Sequence, residues 1–395
     1  MNIDSTDRQR LSEIRDLYAE NLYESVIPFW ERHSIDTDHG GYLTCLERDG
    51  SVYDTDKFMW LQAREIWMFS HLYNRVRPES RWLEFASIGI SFLERFGTDD
   101  KGDFYFALRQ DGKPLVAPYN IYSDCFAVLA YAEYGRASGD PAMLAKAIAI
   151  HERIGKRKSD PKGIYNKQIT ENREIKTFGF SMIELNMAQV LMQNTGDSRY
   201  MSTISEVTES ILNDFIDHEN NIVYERLGAD GSHPDCMEGR LLCPGHVCEV
   251  LWFLAKSTDD PELLKEFAQA LKWTLERGWD RDHGGIFYYQ DSEGLPTDKL
   301  ESEMKLWWVH DEAIYAALLL GYLTEDEQLI EWFFRLHDWS WPRFVDSEYG
   351  EWFGYLYHNG ERAKSLKGGK WKGFFHLPRF LLESIDTLDL MLETP

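Results

Sequence analysis

The stretches "DTDHGGYL" at residues 36–43 and "DRDHGGIFYY" at residues 280–289 are near copies of each other, although they lie far apart in the chain. Both place an Asp/Gly cluster before aromatic or β-branched residues, which is typical of a turn followed by a short strand. Weaker copies begin at Asp99, Asp160, Asp217 and Asp346. Successive copies start 57 to 66 residues apart, and several continue into a second turn, so that each copy predicts a short β-hairpin in a sixfold repeat.

Between the hairpins the chain is long enough for two helices. Segments 57–76 and 81–97 both carry apolar residues at three- and four-residue spacing, and such pairs recur after the later copies. Only the last repeat lacks its second helix, and the N-terminal helix, about residues 5–33, supplies it if the chain closes into a ring. Two unrelated helical domains would leave the even spacing to chance. We therefore predict an all-α fold, a single (α/α)6 toroid of twelve helices over residues 1–395, with hairpins on the active-site face.

Composition narrows the classes of partner. The 395 residues carry 67 acidic against 42 basic side chains, a net charge of −25, which argues against nucleic acid and anionic membrane surfaces. No uncharged apolar run approaches the length of a membrane span, and the N-terminus is polar. Five cysteines without framework spacing favour a reducing compartment. We expect a soluble cytoplasmic protein that acts on a small molecule.

Unusual polar residues fall at the starts of the first helix of each pair. That helix is the more apolar one, so it belongs to the inner ring, where parallel helices bring their N-terminal ends to one face. The residues concerned are Arg64, Asp124, His246, Glu249, His310, Glu312, His376 and Arg379. We expect them to converge on one cleft.

Two histidines carry the sharpest signal. Pro244 suits a first helical turn and places His246 at a helix N-terminus, and Pro378 indicates the same for His376. The positive end of a helix dipole disfavours an imidazolium, so both rings are expected to be neutral and able to act as bases. A structural, hydrogen-bonded histidine is the alternative for either one. Two histidines at equivalent positions of different repeats favour a catalytic pair.

Arg64 lies among Trp60, Trp67 and Met68, where an unpaired guanidinium is costly. It either binds a substrate oxygen or stabilises an oxyanion, or it forms a buried salt bridge. Glu249 lies one turn from His246, where it can orient substrate or tune the ring. Trp307, Trp308 and Trp371 are candidate sugar-stacking platforms or simply core residues.

Metal and phosphate motifs are weak. Cys236, Cys243, His246 and Cys248 lack paired CxxC spacing, and positions 246 and 248 do not share a helix face, so we predict no metal site. The segment "KGGKWKG" at residues 367–373 is rich in Gly and Lys but lacks the end of a P-loop motif. It is either a phosphate contact or a mobile loop over the cleft.

Assembled along the chain, these stretches resemble the N-acylglucosamine 2-epimerase (renin-binding protein) family. The segments that carry the resemblance are "GGYLTCLERDGSVYDTDKFMWLQAREIWMFSHLY", "IYSDCFAVLAYAEY", "GRLLCPGHVCEVLWFL", "GWDRDHGGIFYYQDSEG", "MKLWWVHDEAIYAALLLGY" and "DSEYGEWFGYLYHNGERAKSLKGGKWKGFFHLPR". The resemblance implies an (α/α)6 barrel and inversion at C2 of an aldose, typically N-acetylglucosamine to N-acetylmannosamine. It places the catalytic roles on His246, His376, Arg64 and Glu312. The expected substrate-binding residues are Glu249, Trp308, Trp371, Trp60, Arg379 and His310.

The wider superfamily includes cellobiose 2-epimerases, which carry an additional histidine on the third inner helix. That region here reads "KTFGFSMIELNMAQ" at residues 176–189 and has none, which favours the N-acyl branch. The N-acyl branch usually shows Met-Ala-Val-Pro-Met there, whereas this chain has Phe-Gly-Phe-Ser-Met at 178–182, so the C2 substituent stays open. The resemblance further implies no required cofactor and ATP as an effector. A homodimer is also expected.

Three alternatives remain at this stage. One is a cellobiose or mannose 2-epimerase, or an aldose–ketose isomerase, of the same superfamily. Another is an inverting glycoside hydrolase, which needs two carboxylates about 6.5–9.5 Å apart, with Asp124, Glu249 and Glu312 as candidates. The last is a sugar- or protein-binding module without activity, because one ring architecture serves many chemistries.

Overall fold

The computed structural model describes residues 5–118, 120–157 and 172–393, and its helical segments form twelve helices within these ranges. Helix α1 comprises Ser5–Glu20, a π-helical segment Asn21–Val26, and Ile27–His33. The other helices are α2 (Met59–Arg75), α3 (Ser80–Phe96), α4 (Tyr122–Ser138), α5 (Pro141–Arg157), α6 (Phe178–Thr195), α7 (Arg199–Ser210, extended by the π-helical segment Ile211–Phe215), α8 (Pro244–Ala255), α9 (Pro261–Gly278), α10 (Trp307–Thr324), α11 (Glu327–Phe344) and α12 (His376–Glu393).

Burial separates the helices into two layers. In α10 every residue from Trp307 to Gly321 is buried, as expected of a helix that is surrounded on all sides. In α9 the buried residues recur at three- and four-residue spacing, so only one face is covered. The even-numbered helices form the inner layer and the odd-numbered ones the outer layer.

The ring closes between the last inner helix and the first. Arg75 near the end of α2 pairs with Glu383 and Asp386 of α12. Helix α1 then packs outside α12, where Arg15 pairs with Asp389 at 2.7 Å. The N-terminal helix therefore supplies the partner that the last repeat lacks, and the predicted toroid is confirmed.

Thirteen short strands lie within the described residues. They are β1 (Cys45–Leu46), β2 (Val52–Asp54), β3 (Lys57–Phe58), β4 (Ala107–Leu108), β5 (Pro114–Val116), β6 (Ile175–Thr177), β7 (Ile216–Asp217), β8 (Ile222–Val223), β9 (Arg226–Gly228), β10 (Leu241–Leu242), β11 (Gln290–Asp291), β12 (Lys305–Leu306) and β13 (Tyr355–Leu356). The pairs β1–β2, β4–β5 and β7–β8 are antiparallel hairpins within one repeat. The third copy of the repeat, at Asp160, lies outside the described residues.

Other strand pairs join successive repeats, which the repeat pattern did not predict. The strands β3, β6, β10 and β12 pair with β4, β9, β11 and β13 of the following repeat. Strands β3, β6 and β12 lead directly into α2, α6 and α10, and one residue separates β10 from α8. These ladders hold the N-terminal ends of the inner helices at one face of the ring.

The aspartate that begins each repeat has a structural role. Asp280 accepts hydrogen bonds from the backbone N–H groups of residues 282 and 283, which closes the turn. Its other carboxylate oxygen pairs with the fully buried Lys305 at 3.0 Å. The same pairing recurs between Asp36 and Lys57 and between Asp346 and Lys367. The repeat therefore encodes a buried ion pair beneath each of these hairpins.

No helix in the described part of the chain combines the length and the apolar character that crossing a bilayer would require.

Candidate active site

His246 lies in the first turn of α8, two residues after Pro244. The preceding residue, Gly245, permits close contact with the next inner helix, because a Cβ there would lie only 2.7 Å from the Trp308 ring. The His246 side chain is about one quarter exposed, at 24%. The Pro-Gly-His sequence thus sets a partly open imidazole at a helix N-terminus, as predicted.

Glu225, which precedes β9, is the hydrogen-bonding partner of His246. The Nδ1–H group of His246 donates to the two carboxylate oxygens at 3.0 and 3.1 Å. Such a contact selects the tautomer and leaves Nε2 for a reacting atom. Sequence reasoning missed Glu225, because nothing local marks it as the partner of a residue in the following helix.

His376 is the first residue of α12 and has an equivalent arrangement. Its Nδ1–H group donates to Glu312 at 2.7 Å. The Glu312 carboxylate also accepts hydrogen bonds from Trp252 Nε1 and Arg379, each at 2.7 Å. The Glu312 side chain is 2% exposed, so this network orients His376 from behind.

The imidazole rings of His246 and His376 both lie beside the indole ring of Trp308. The Trp308 ring lies 5.4 Å from the His246 ring and 5.7 Å from the His376 ring, measured between centroids. The positive charge of His246 also contributes to lowering the pKa of His376. The histidines, 130 residues apart in sequence, therefore face one site.

The environments of the two histidines shift their pKa values in opposite directions. Burial, followed by the positive charge of Arg64, holds the pKa of His376 well below its usual range. Burial also lowers the pKa of His246, but the Cys243 sulfur and the Glu225 carboxylate raise it more, so that it lies well above its usual range. The expected bias of both rings toward a lowered pKa therefore holds for His376 but is wrong for His246, whose pKa the Cys243 sulfur and the Glu225 carboxylate raise.

Arg64 has no carboxylate partner among the described residues. Its guanidinium packs on the rings of Trp60, Phe126 and Phe375 at 4.4, 4.0 and 4.7 Å, and its Nε lacks a hydrogen-bond acceptor. Burial lowers its pKa to about 9, so the group stays charged at neutral pH. The salt-bridge alternative is wrong: Arg64 is a buried cation that Glu249 and Glu312 stabilise only at longer range, without an ion-pair contact among the described residues.

Glu249 and Arg379 lie behind the histidines. The Arg379 guanidinium bridges Glu249 and Glu312, and both Arg379 and Glu249 are 4% exposed. A direct contact of these two residues with substrate stays a prediction. Trp371, by contrast, is 54% exposed and lies 5.6 Å from Trp60, between ring centroids, at the rim of the site.

His310 does not belong to the site. Its Nδ1–H group donates to the carbonyl of Leu306, its Nε2 accepts from the backbone N–H of Ile286, and the ring stacks on Trp339 of the outer layer. The prediction that it binds substrate is therefore wrong. Asp124 likewise pairs with Arg153 of α5, away from the histidines.

Two sets of donor atoms come close enough to hold a metal ion. The first comprises Glu225, Cys243 and His246, and the second Glu249, Glu312 and His376; within each set all donor atoms lie within 4.8 Å of one another. Neither contains Cys236 or Cys248, which the sequence grouped with His246. In the segment 367–373, Lys367 and Lys372 are buried against Asp346 and Glu351, and Lys370 is exposed.

Residues 41–379 match the family model of N-acylglucosamine 2-epimerase (GlcNAc 2-epimerase). The chain belongs to this family. It is similar to N-acylglucosamine 2-epimerase of Mus musculus, with 35% identity over 95% of this chain and 92% of the mouse protein. It is also similar to cellobiose 2-epimerase of Ruminococcus albus, with 25% identity over 95% of this chain and 98% of that protein.

Epimerase-family structures share the fold. The cellobiose 2-epimerase from Spirochaeta thermophila superposes with a TM-score of 0.84 at 24% identity, over 99% of this chain and all of the other. This likeness confirms the (α/α)6 architecture expected from the sequence, and the family match with its curated relatives confirms the carbohydrate-isomerising class.

Proposed function

We propose that this epimerase-family chain interconverts N-acylglucosamine and N-acylmannosamine by removing and returning a proton at C2 of the open-chain sugar. The observation that carries the proposal is the histidine pair at Trp308, each ring in hydrogen-bond contact with its own glutamate, and the pKa values of the two rings are displaced in opposite directions. Groups whose environments push their pKa values apart are suited to act as base and acid in one reaction.

The chemistry follows from the acidity of the sugar. The C1 carbonyl of the open chain acidifies the C2–H bond, and neutral His376 accepts this proton through Nε2. His246, held as an imidazolium by Glu225, donates a proton to the opposite face of C2. Proton transfers of this kind are worth about 10²–10⁴-fold in rate. For the other epimer the roles reverse, since the pair then holds its single proton on His376.

Negative charge develops on O1 when the C2 proton leaves. Arg64 is a cation at the site that no carboxylate within the described ranges contacts directly, since Glu249 and Glu312 pair with Arg379. Its guanidinium can donate to O1 of the enediolate-like intermediate. A preorganised cation in a water-poor site stabilises such charge more than water does.

The hydrolase alternative is disfavoured by the spacing of the carboxylates. The oxygens of Glu249 and Glu312 lie within 4.8 Å of each other and share Arg379. Inverting hydrolysis needs about 6.5–9.5 Å and a water between the carboxylates. The other members of the superfamily remain the second candidates, because the departure at residues 178–182 concerns the region expected to distinguish the branches.

The finer parts of the proposal concern regulation and context. No cofactor is required for the C2 chemistry as written, and ATP acts as an effector near exposed Lys370. We also propose a homodimer in the cytoplasm, where the five free cysteines stay reduced.

The test is proton NMR of N-acetylglucosamine, N-acetylmannosamine, glucose, mannose and cellobiose in D₂O with the protein. We expect loss of the H2 signal of the N-acyl sugars in the wild type and no loss in His246→Asn or His376→Asn. His218→Asn, on the protein surface, is the matched control and retains exchange. Exchange at the wild-type rate in either site variant contradicts the role of that histidine, and exchange confined to cellobiose or mannose favours the second candidates.

A further inference from the structure

Three different donor groups come together beside the proposed proton donor, His246: its own ring, Glu225 and Cys243. A carboxylate oxygen, a sulfur and an imidazole nitrogen lie within 4.8 Å of one another. We infer that they form a binding site for a zinc-like divalent cation, and that occupancy inhibits the enzyme by capturing His246. The inhibitory part rests on the proposed function of His246.

The donor set matches the chemistry of zinc. Zinc is bound by Cys sulfur at about 2.3 Å, His nitrogen at about 2.0–2.1 Å and carboxylate oxygen at about 2.0–2.2 Å, and sites with three protein ligands keep a fourth position open. Ligands of such a tetrahedral site lie about 3–4 Å apart. The Glu225 oxygens and His246 Nδ1 already lie 3.0 and 3.1 Å apart, so small side-chain rotations complete the geometry. A sulfur ligand selects zinc or cadmium over magnesium or calcium.

The two donor sets differ in whether a protein side chain supplies a positive charge to the carboxylates. The set of Glu249, Glu312 and His376 has such a cation, and the set of Glu225, Cys243 and His246 has none besides the histidine among the described residues. Between Glu249 and Glu312 the protein supplies its own cation, the buried guanidinium of Arg379. Among the described residues, Glu225 has an ion-pair contact only with His246. The adjacent Arg226 is engaged by Glu238 at 2.8 Å. A divalent cation at Glu225 would therefore meet no competing lysine or arginine.

Burial and access also suit a bound ion. Cys243 is 0% exposed and Glu225 is 7% exposed, whereas the His246 side chain is 24% exposed. The ligands are thus enclosed, and the ion enters through the substrate side. The wall opposite His246 carries no side chain at Gly179, where an added Cβ would lie 3.6 Å from the ring.

Binding of the cation changes which groups of the site carry protons. The cation takes Nδ1 of His246 and the Glu225 carboxylate, and it requires the Cys243 sulfur as thiolate. Protons leave as it binds, so its affinity rises with pH. A positive ion then replaces the carboxylate beside the ring, and His246 no longer serves as proton donor.

Cadmium absorption and zinc dialysis test the site without reference to activity. The background is Cys236→Ser, which removes the partly exposed thiol. We expect one zinc per chain by equilibrium dialysis, and a sulfur-to-cadmium charge-transfer band in the ultraviolet. Adding Cys243→Ser should abolish the band and weaken zinc binding at least tenfold, and Glu225→Gln should weaken it as well. Cys248→Ala changes another buried cysteine, five residues further along in α8; it is the matched control and keeps both signals.

Two results overturn the inference: equal zinc affinity with and without Cys243, or a cadmium band that persists in its absence. Circular dichroism checks that each variant is folded. If Cys243→Ser does not fold, the zinc affinity of Glu225→Gln is the test instead, and an affinity equal to that of the background protein overturns the inference.

Solvent exchange of the sugar H2 proton then tests inhibition. Zinc should suppress exchange in the Cys236→Ser protein and a chelator should restore it, whereas the Cys243→Ser variant keeps its own metal-free rate. Exchange that zinc leaves untouched at saturating occupancy refutes the inhibitory part. Stoichiometric zinc binding without exchange on any sugar would instead refute the proposed function and leave the site standing.

Discussion

Replacing Glu225 with Gln removes the carboxylate that accepts from His246 Nδ1 at 3.0 Å, while the shape of the side chain is kept. A hydrogen bond between charged groups contributes about 1.5–3 kcal/mol, and about 1.4 kcal/mol corresponds to one pKa unit. We therefore expect Glu225→Gln to lower the pKa of His246 by about one to two units.

This shift has a defined sign in the pH profile of kcat/KM. In the proposed mechanism the active form holds one proton between the two histidines, and it loses that proton as pH rises through the raised pKa of His246. As pH falls through the lowered pKa of His376, a second proton binds and the base is lost. Glu225→Gln should move the alkaline limb down by about one to two units and leave the acidic limb nearly in place.

The assay is the rate of H2 exchange across pH, followed by proton NMR, together with titration of the imidazole signals. Glu238→Gln, which changes a nearby carboxylate paired with Arg226, is the matched control and leaves both limbs unmoved. An alkaline limb that stays in place or moves upward in Glu225→Gln would refute the assignment of His246 as the protonated partner.

Three further predictions follow from other contacts. Arg64→Met should lower the exchange rate by about 10²–10³-fold, because the cation for O1 is lost, and the midpoint of thermal unfolding should change little, because no ion pair breaks. Gly245→Ala should lower kcat/KM in the same assay, because the new Cβ, 2.7 Å from Trp308, displaces the indole beside both histidines. Asp280→Asn should reduce the free energy of unfolding in urea by about 3–5 kcal/mol, because Lys305 is left buried without its counter-charge.

Each of these has an outcome that contradicts it. Exchange near the wild-type rate in Arg64→Met would show that Arg64 does not stabilise the negative charge on O1. An unchanged kcat/KM in Gly245→Ala would mean that the indole position is not critical. A loss of stability in the exposed neighbour variant Asp282→Asn equal to that in Asp280→Asn would show that the buried ion pair is not its cause.

Much of this molecule is encoded locally and was therefore predictable. The helix periods, the Asp/Gly turns and the Pro-Gly-His start of α8 depend on residues within a few positions of each other. The even spacing of the repeats, with the unpaired helix at the opposite terminus, was enough to imply closure. Closure in turn placed Arg64, His246, Glu312 and His376 at one face.

The partners of these residues were decided only by tertiary structure, since they lie 21 to 130 residues away in the sequence. Sequence alone could not show that Glu225 contacts His246, that Arg379 bridges Glu249 and Glu312, or that Arg64 has no ion-pair contact within the described part of the chain. His310 has the same sequence setting as the other helix-start polar residues, yet its rotation about α10 turns it toward Trp339. A charged group in contact shifts a pKa more strongly than a helix dipole does, so the opposite pKa shifts of the two histidines depend on packing that the local sequence does not show.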